Sequence, residues 1–236
     1  MSIVVMAGGK GTRMNSDIPK VLHLFHEIPI LVRILSVCVE CCPSNIYIVV
    51  GEHEPIIQTT IEKYISYPFV YVSQNPSLGT AHAVACCLPF LDENENVLIL
   101  NGDMPLIHVG ILNQLMRKGV PSFAVARLCP AVGYGRVLSD KTGKVVGIRE
   151  EKDCSPDELN EFVVNAGIYF FSSAVLREFI PHIQRNIKKG EYYLTDMIEL
   201  LCNHHHDIHP VFIEPSFTIR GVNTCEELRE AETYGS

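Results

Sequence analysis

The sequence predicts an α/β fold, in which a central, mostly parallel mixed sheet carries helices on both faces. Three observations predict it. Runs of strand length alternate with segments of helical period along the chain. The strand runs are apolar and β-branched, as buried strands are. Three of them break directly into polar, glycine-bearing segments, which is where open sheets of this class bind ligands, beyond the carboxyl ends of their strands. The pattern is that of a single Rossmann-like domain spanning residues 1–236, with no internal repeat, low-complexity tract or linker.

The elements follow in order. Residues 3–6 form the first strand and open into Ala7-Gly8-Gly9-Lys10-Gly11-Thr12-Arg13-Met14, with Pro19-Lys20-Val21-Leu22 close behind. An amphipathic helix over 30–41 leads to a strand over 46–50, and a helix over 55–65 to a strand over 69–72. That strand runs out into Gln74-Asn75-Pro76-Ser77-Leu78-Gly79-Thr80, where the next helix, 80–88, begins. The strand 97–100 ends in Asn101-Gly102-Asp103, followed by a helix over 109–117. Strands over 123–126, 145–148 and 163–171 then crowd together, which predicts some antiparallel pairing. Helices over 174–185 and 194–202, a strand over 211–213 and a helix over 226–233 complete the chain. Residues 155–161, polar and acidic, are expected to form a mobile loop.

Composition excludes several classes. With 47% apolar and 19% charged residues, the chain builds a sizeable core and is not disordered. A net charge of −8 argues against nucleic acid or an anionic membrane as partner. No transmembrane stretch is read, and since the chain opens directly on a strand pattern no signal peptide is expected. Nine cysteines, several inside apolar segments, read as reduced, buried thiols of a cytoplasmic protein. Cys38, Cys41 and Cys42 have zinc-like spacing, but they lie on a helix without a second ligand pair, so packing is the expected role. The run His204-His205-His206 with His209 reads as a solvated turn.

The first glycine loop has the makings of a polyphosphate site. Glycines let backbone N–H groups approach phosphate closely, and Lys10, Arg13 and Lys20 would supply countercharge. The loop fails the P-loop pattern, because Gly11 follows Gly9-Lys10 and Val4 stands where the first glycine belongs. It also fails the dinucleotide fingerprint, because Met14 stands at the last glycine position. A tight turn with solvated cations is the plainer alternative.

The chain resembles the sugar-1-phosphate nucleotidyltransferases, most closely the uridylyltransferase domains that act on N-acetylglucosamine-1-phosphate. The resemblance covers nearly all of the chain. It is carried by A-G-G-K-G-T-R-M (7–14), P-K-V-L-H (19–23), L-G-T-A-H-A (78–83), N-G-D-M-P-L-I (101–107), G-Y-G-R-V (133–137), E-K-D (151–153), N-A-G-I-Y (165–169), G-E-Y-Y-L-T-D (190–196) and G-V-N (221–223). It implies a nucleotide-diphospho-sugar transferase type of fold and an Mg²⁺-dependent reaction of UTP with a sugar-1-phosphate, giving UDP-N-acetylglucosamine and pyrophosphate. Bifunctional members carry a further left-handed β-helix acetyltransferase domain. The chain has no hexapeptide repeat, so that second activity is not expected, and a monomer or homodimer is.

Roles follow from the resemblance residue by residue. Ala7, Gly8, Gly9 and Gly11 would hold the nucleotide, with Gln74 and the Gly79 backbone on the uracil; Arg13 and Lys20 would be the catalytic cations. Thr80, Asn101, Gly135, Glu150 and Asn165 would line the sugar pocket, and Asp103 and Asn223 would hold Mg²⁺. Each has a plainer alternative. Asp103 suits a turn before Pro105, Asn223 suits an N-cap with Glu226 as its partner, and Glu150 suits a solvated charge. Thr195 reads as a helix N-cap and the flanking tyrosines as wall residues. Ser77 stands where family members often have a second glutamine, a departure that bears on uracil selection. The alternatives to the leading function are the same reaction with another hexose-1-phosphate or with dTTP, and a non-catalytic subunit that binds nucleotide-sugar.

Overall fold

The computed structural model describes residues 1–9, 11, 14, 16 and 18–235. The first strand, β1 (Ser2–Met6), lies at the centre of a nine-stranded sheet. A two-residue-arm hairpin, β2 (Leu24–Phe25) and β3 (Ile28–Pro29), precedes helix α1 (Ile30–Glu40). Then come β4 (Asn45–Val50), α2 (Glu54–Glu62), β5 (Val70–Ser73), α3 (Thr80–Cys87), β6 (Asn96–Asn101) and α4 (Val109–Met116). The second half holds β7 (Ser122–Arg127), β8 (Arg136–Ser139), β9 (Val145–Arg149), β10 (Val163–Ser172), α5 (Ser173–Phe179), α6 (Asp196–Asn203), β11 (His209–Phe212) and α7 (Cys225–Tyr234).

The strand order is β11-β7-β10-β6-β1-β4-β5, and β8 joins β10 and β9 off this path. β1 pairs in parallel with β4 and β6, β4 with β5, and β7 with β11. β10 runs antiparallel to β6, β7 and β8, and β9 runs antiparallel to β8. β10 and β9 therefore oppose the rest of a sheet that is otherwise parallel, which is the mixed pairing the crowded strands of the second half predict.

Strand residues alternate between two apolar layers. Ile3, Val5, Ile48, Leu98 and Phe170 pack with α1, α2, α4 and Ala231 of α7 on one face. Val4, Val49, Ile99, Phe123 and Phe171 pack with α3, α5 and α6 on the other. Both faces being covered, Ile3, Val4 and Val5 are all fully buried, which explains why the run reads as apolar without alternation.

Several local readings differ from the structure. The helix expected over 174–185 ends at Phe179 and continues only as a short 3-10 turn over Ile180–His182, because Pro181 cannot donate the next helical hydrogen bond. β8 and the β2–β3 hairpin were not among the expected elements. The segment 155–161, expected as a mobile loop, carries a helical turn over Glu158–Asn160, which Ser155 and Glu158 close reciprocally by backbone-to-side-chain bonds of 2.7 and 3.3 Å. Cys38 is buried within α1. His204 and His206 are not simply solvated, since both set their rings edge-on to Phe179 at 5.2 and 5.1 Å. Among the described residues, no helix is long and apolar enough to cross a membrane.

Candidate functional site

Beyond the carboxyl ends of β1, β5 and β6 lie two adjoining cavities of about 610 Å³ each. Met6, Thr80, Asn101, Asp103 and Asn223 border both.

One cavity is built from the first glycine loop. Ala7 donates its N–H to the Val49 carbonyl at 2.8 Å, carrying the chain across the end of β4. There Gly8 meets Gly51 backbone to backbone: a Cβ on Gly8 would lie 3.3 Å from the Gly51 nitrogen, and one on Gly51 would lie 3.1 Å from the Gly8 oxygen. A side chain at either position would push the two backbones apart by a few tenths of an ångström. Gln74, only 4% exposed, is anchored by its N–H on the Val50 carbonyl at 2.7 Å. Its amide nitrogen donates to the Gly79 carbonyl at 2.9 Å, which fixes the orientation of the amide because that partner only accepts. Gly79 has φ +102°, and a Cβ there would meet the Tyr192 oxygen at 2.5 Å. Ala7, Gly8, Gly9, Gly11, Gln74 and Gly79, the residues expected to face nucleotide, all line this cavity, as do Lys20 and Ser77. Ser77 donates to the Gln74 amide oxygen at a long 3.5 Å. Tyr193 is a wall residue here, whereas Tyr192 contributes backbone, its N–H on the Leu78 carbonyl at 2.8 Å and its carbonyl accepting from Ala81 at 2.9 Å.

At the border the Lys20 ammonium forms an ion pair with Asp103 and donates to the Asn223 side-chain oxygen at 3.1 Å. Val222 N–H on the Asp103 carbonyl (2.8 Å) holds the two acceptor-bearing segments together, and Gly102 N–H on the Met6 carbonyl (2.9 Å) ties the Asp103 segment to the end of β1. Gly221 permits this closeness, because a Cβ there would lie 3.2 Å from an Asp103 carboxylate oxygen. The Lys20–Asn223 contact brings together positions 203 residues apart in the chain. Asn223 is not the N-cap of α7. That position belongs to Thr224, whose hydroxyl accepts from Glu227 N–H at 3.1 Å, while the Glu227 carboxylate takes the Asn223 N–H at 2.6 Å. The Asn223 side chain is thereby left to face Lys20, and Glu226 is not the capping partner.

The second cavity contains Thr80, Asn101, Gly135, Glu150 and Asn165, the residues expected to face a sugar. Thr80 accepts from Leu194 N–H at 2.9 Å. β10 is irregular between Asn165 and Tyr169, with Gly167 at φ +73°. That irregularity brings the Asn165 amide onto the Tyr169 hydroxyl at 2.7 Å. Asn101 packs against Gly167 where a Cβ would stand. Glu150 is not a solvated charge. Burial pushes its carboxyl up from the usual range, the Thr195 hydroxyl, donating at 2.9 Å, pulls it back, and Asp153 and Glu191 raise it further. Thr195 stands at the N-cap position of α6 but spends its hydroxyl on Glu150. Beside it, Asp196 is pushed up to about 6, mainly by burial and then by Glu150 and Glu199.

Arg13 and Lys10, expected as countercharges, lie outside the described residues. Thr195 and Tyr169 line the second cavity without having been among the expected site residues; the polar Thr195-Asp196 pair after two tyrosines was the available signal for the first. Among the described residues, no group of three or more histidines, cysteines or carboxylates could hold a metal. Asp103 and Asn223 instead offer a pair of oxygen donors that already share one cation. That donor chemistry fits Mg²⁺, which takes oxygen ligands and is bound by few protein groups plus substrate phosphates.

The model of the MobA-like NTP transferase domain matches residues 3–220. The bifunctional protein GlmU of Neisseria meningitidis is 35% identical over 234 residues, covering 98% of this chain and 50% of that protein. GlmU of Baumannia cicadellinicola is 38% identical over 240 residues, again 98% of this chain and 51% of that protein. The chain thus spans about half the length of the curated relatives it matches. A crystal structure from Bacillus anthracis, described as a glucose-1-phosphate thymidylyltransferase in complex with sucrose, superposes with a TM-score of 0.75 over 99% of this chain and 94% of its own at 18% identity, a likeness of fold.

Proposed function

The chain belongs to the family of MobA-like NTP transferase domains, and from that premise we propose that it transfers a uridylyl group from UTP to N-acetylglucosamine-1-phosphate, giving UDP-N-acetylglucosamine and pyrophosphate. The observation that carries this reading is the junction of the two cavities at Lys20, Asp103 and Asn223. A nucleotide in one cavity and a sugar phosphate in the other would meet there.

The sugar phosphate oxygen attacks the α-phosphorus in line, and the bond to the leaving pyrophosphate breaks. That nucleophile is ionised at neutral pH, so no general base is required; the obstacle is repulsion between polyanions. Lys20 supplies positive charge at the junction, Arg13 is assigned to the leaving pyrophosphate, and Lys10 is a further countercharge. The N–H groups of Ala7 to Gly9 hold the nucleotide, and Gly11 leaves room for its phosphates. Mg²⁺ held by Asp103 and Asn223 would neutralise developing charge on the phosphoryl oxygens. Gln74, with its amide nitrogen turned to Gly79, presents an oxygen that accepts from the ring N–H of uracil. Thr80, Asn101, the Gly135 backbone, Glu150 and Asn165 offer the mixture of donors and acceptors that hydroxyls and an acetamide need.

A second reading, dTTP in place of UTP, rests on Ser77, a short side chain where family members often have a second glutamine. Both readings meet one experiment: pyrophosphate release with Mg²⁺, comparing UTP and dTTP against N-acetylglucosamine-1-phosphate and glucose-1-phosphate. Release chiefly with UTP and the acetamido sugar supports the proposal. Release only with another pair reassigns the substrates, and release with none overturns catalysis of this type.

A further inference from the structure

We propose that His82 is a positioning residue for base selection, acting through Gln74. The inference rests on the assignment of the first cavity to the nucleotide, and names what makes that cavity choose its base.

The Gln74 amide nitrogen carries two hydrogens and has two partners, the Gly79 carbonyl at 2.9 Å and His82 Nδ1 at 3.1 Å. An amide nitrogen only donates, so Nδ1 accepts, and the ring proton sits on Nε2. The neighbour of Nε2 is the Cys86 sulfur at 3.9 Å, four residues along α3 and on the same side of the helix. The ring is thus held between Gln74 in front and Cys86 behind. With both amide hydrogens engaged, the amide oxygen is the atom left for a ligand. It lies toward Gly8, whose Cβ position is 3.4 Å away, and accepts only a long 3.5 Å bond from Ser77.

An oxygen at that point matches the ring N–H of uracil or thymine. It repels cytosine, whose equivalent ring nitrogen is an acceptor. The Gly79 carbonyl alone engages one amide hydrogen; His82 engages the other, so that rotation of the amide loses two bonds instead of one. Because Gln74 is only 4% exposed, water does not readily replace either bond.

The test compares the full chain with its His82→Leu and His82→Asn variants, measuring calorimetric binding of UTP and CTP and steady-state KM for each substrate. The asparagine side-chain oxygen accepts where Nδ1 does. His82→Leu is expected to weaken UTP binding about tenfold and to narrow the UTP-over-CTP ratio by a similar factor. The KM for sugar phosphate and kcat at saturating UTP should stay within about twofold of wild type. His82→Asn should restore both affinity and ratio. In a Gln74→Leu background, replacing His82 by leucine should cost UTP affinity nothing further, and if His82→Leu does not fold, His82→Ala takes its place in both backgrounds. Unchanged UTP selectivity in His82→Leu, or additive losses in the double variants, would overturn the inference. A wild-type protein that binds CTP as well as UTP would overturn the nucleotide assignment itself, a different result from selectivity that survives the loss of His82.

Discussion

Lys20 and Asp103, 83 residues apart in the chain, form an ion pair where the two cavities meet, with side chains 15% and 18% exposed. The residue proposed to neutralise phosphate and the residue proposed to hold a metal are therefore each other's partner. Asp103→Asn keeps the volume and removes the charge. Turnover with Mg²⁺ is expected to fall about 10³-fold, as when other preorganised charge stabilisers are removed. The thermal midpoint should move by only a few degrees, because Lys20 keeps Asn223 as a partner. A variant with half the wild-type activity would remove Asp103 from the metal role.

What the sequence makes legible here is what short-range chemistry decides. The central strands announce themselves because both faces of β1, β4 and β6 are buried, and the loops announce themselves because glycine is needed where backbone meets backbone, as at Gly8 and Gly51. β8 is hidden by its composition: Arg-Val-Leu-Ser is short, and its arginine is 3% exposed, its guanidinium donating to the Tyr134 carbonyl and paired with Glu151 at 3.6 Å. At the last helix, Asn223 and Thr224 are adjacent residues that both make good caps, and Glu226 and Glu227 each stand three residues on. Only the backbone chooses between them. The Thr195–Glu150 bond spans 45 residues, so no local pattern announces it.

Gly79 shows how tightly the base side of the crevice is built. Its φ of +102° is unfavourable for an L side chain, and a Cβ would collide with Tyr192 backbone at 2.5 and 2.8 Å. Neither atom is the end of a flexible chain. Gly79→Ala is expected to destabilise the fold by at least about 2 kcal/mol and to weaken nucleotide binding, since the Gly79 carbonyl orients Gln74. Urea unfolding checks the first and calorimetry with UTP the second. A fully stable alanine variant would show that the strand-to-helix turn does not need this backbone.

The nine cysteines divide by environment. Burial pushes the Cys38 thiol far above its usual range and Cys87 to about 12, so neither ionises in the folded state near neutrality. Cys42 and Cys129 are exposed. Alkylation of the native protein mapped by mass spectrometry should label Cys42 and Cys129 first, with Cys38 and Cys87 labelled only after denaturation. Early labelling of Cys38 would mean that α1 opens locally in the native state.

Asp196 makes a prediction with a definite sign. Its folded-state carboxyl is pushed from 3.8 to about 6, mainly by burial, then by Glu150 and Glu199. A carboxyl raised by folding stabilises the fold relative to its ionised form below the unfolded value, and that advantage is lost as pH rises from about 3.8 through 6. Above that window the folded protein carries a charge it disfavours. Asp196→Asn mimics the protonated acid, so it should match wild type at pH 4 and exceed it at pH 7.5. The group is partly open to solvent, so the gain is discounted for screening to about 1 kcal/mol, or about 2–4 °C in the thermal midpoint. Thermal unfolding at the two pH values decides it. An equal gain at both would trace the effect to packing, and a loss at pH 7.5 would mean that the ionised carboxylate at the first turn of α6 serves the helix more than its acidic neighbours oppose it.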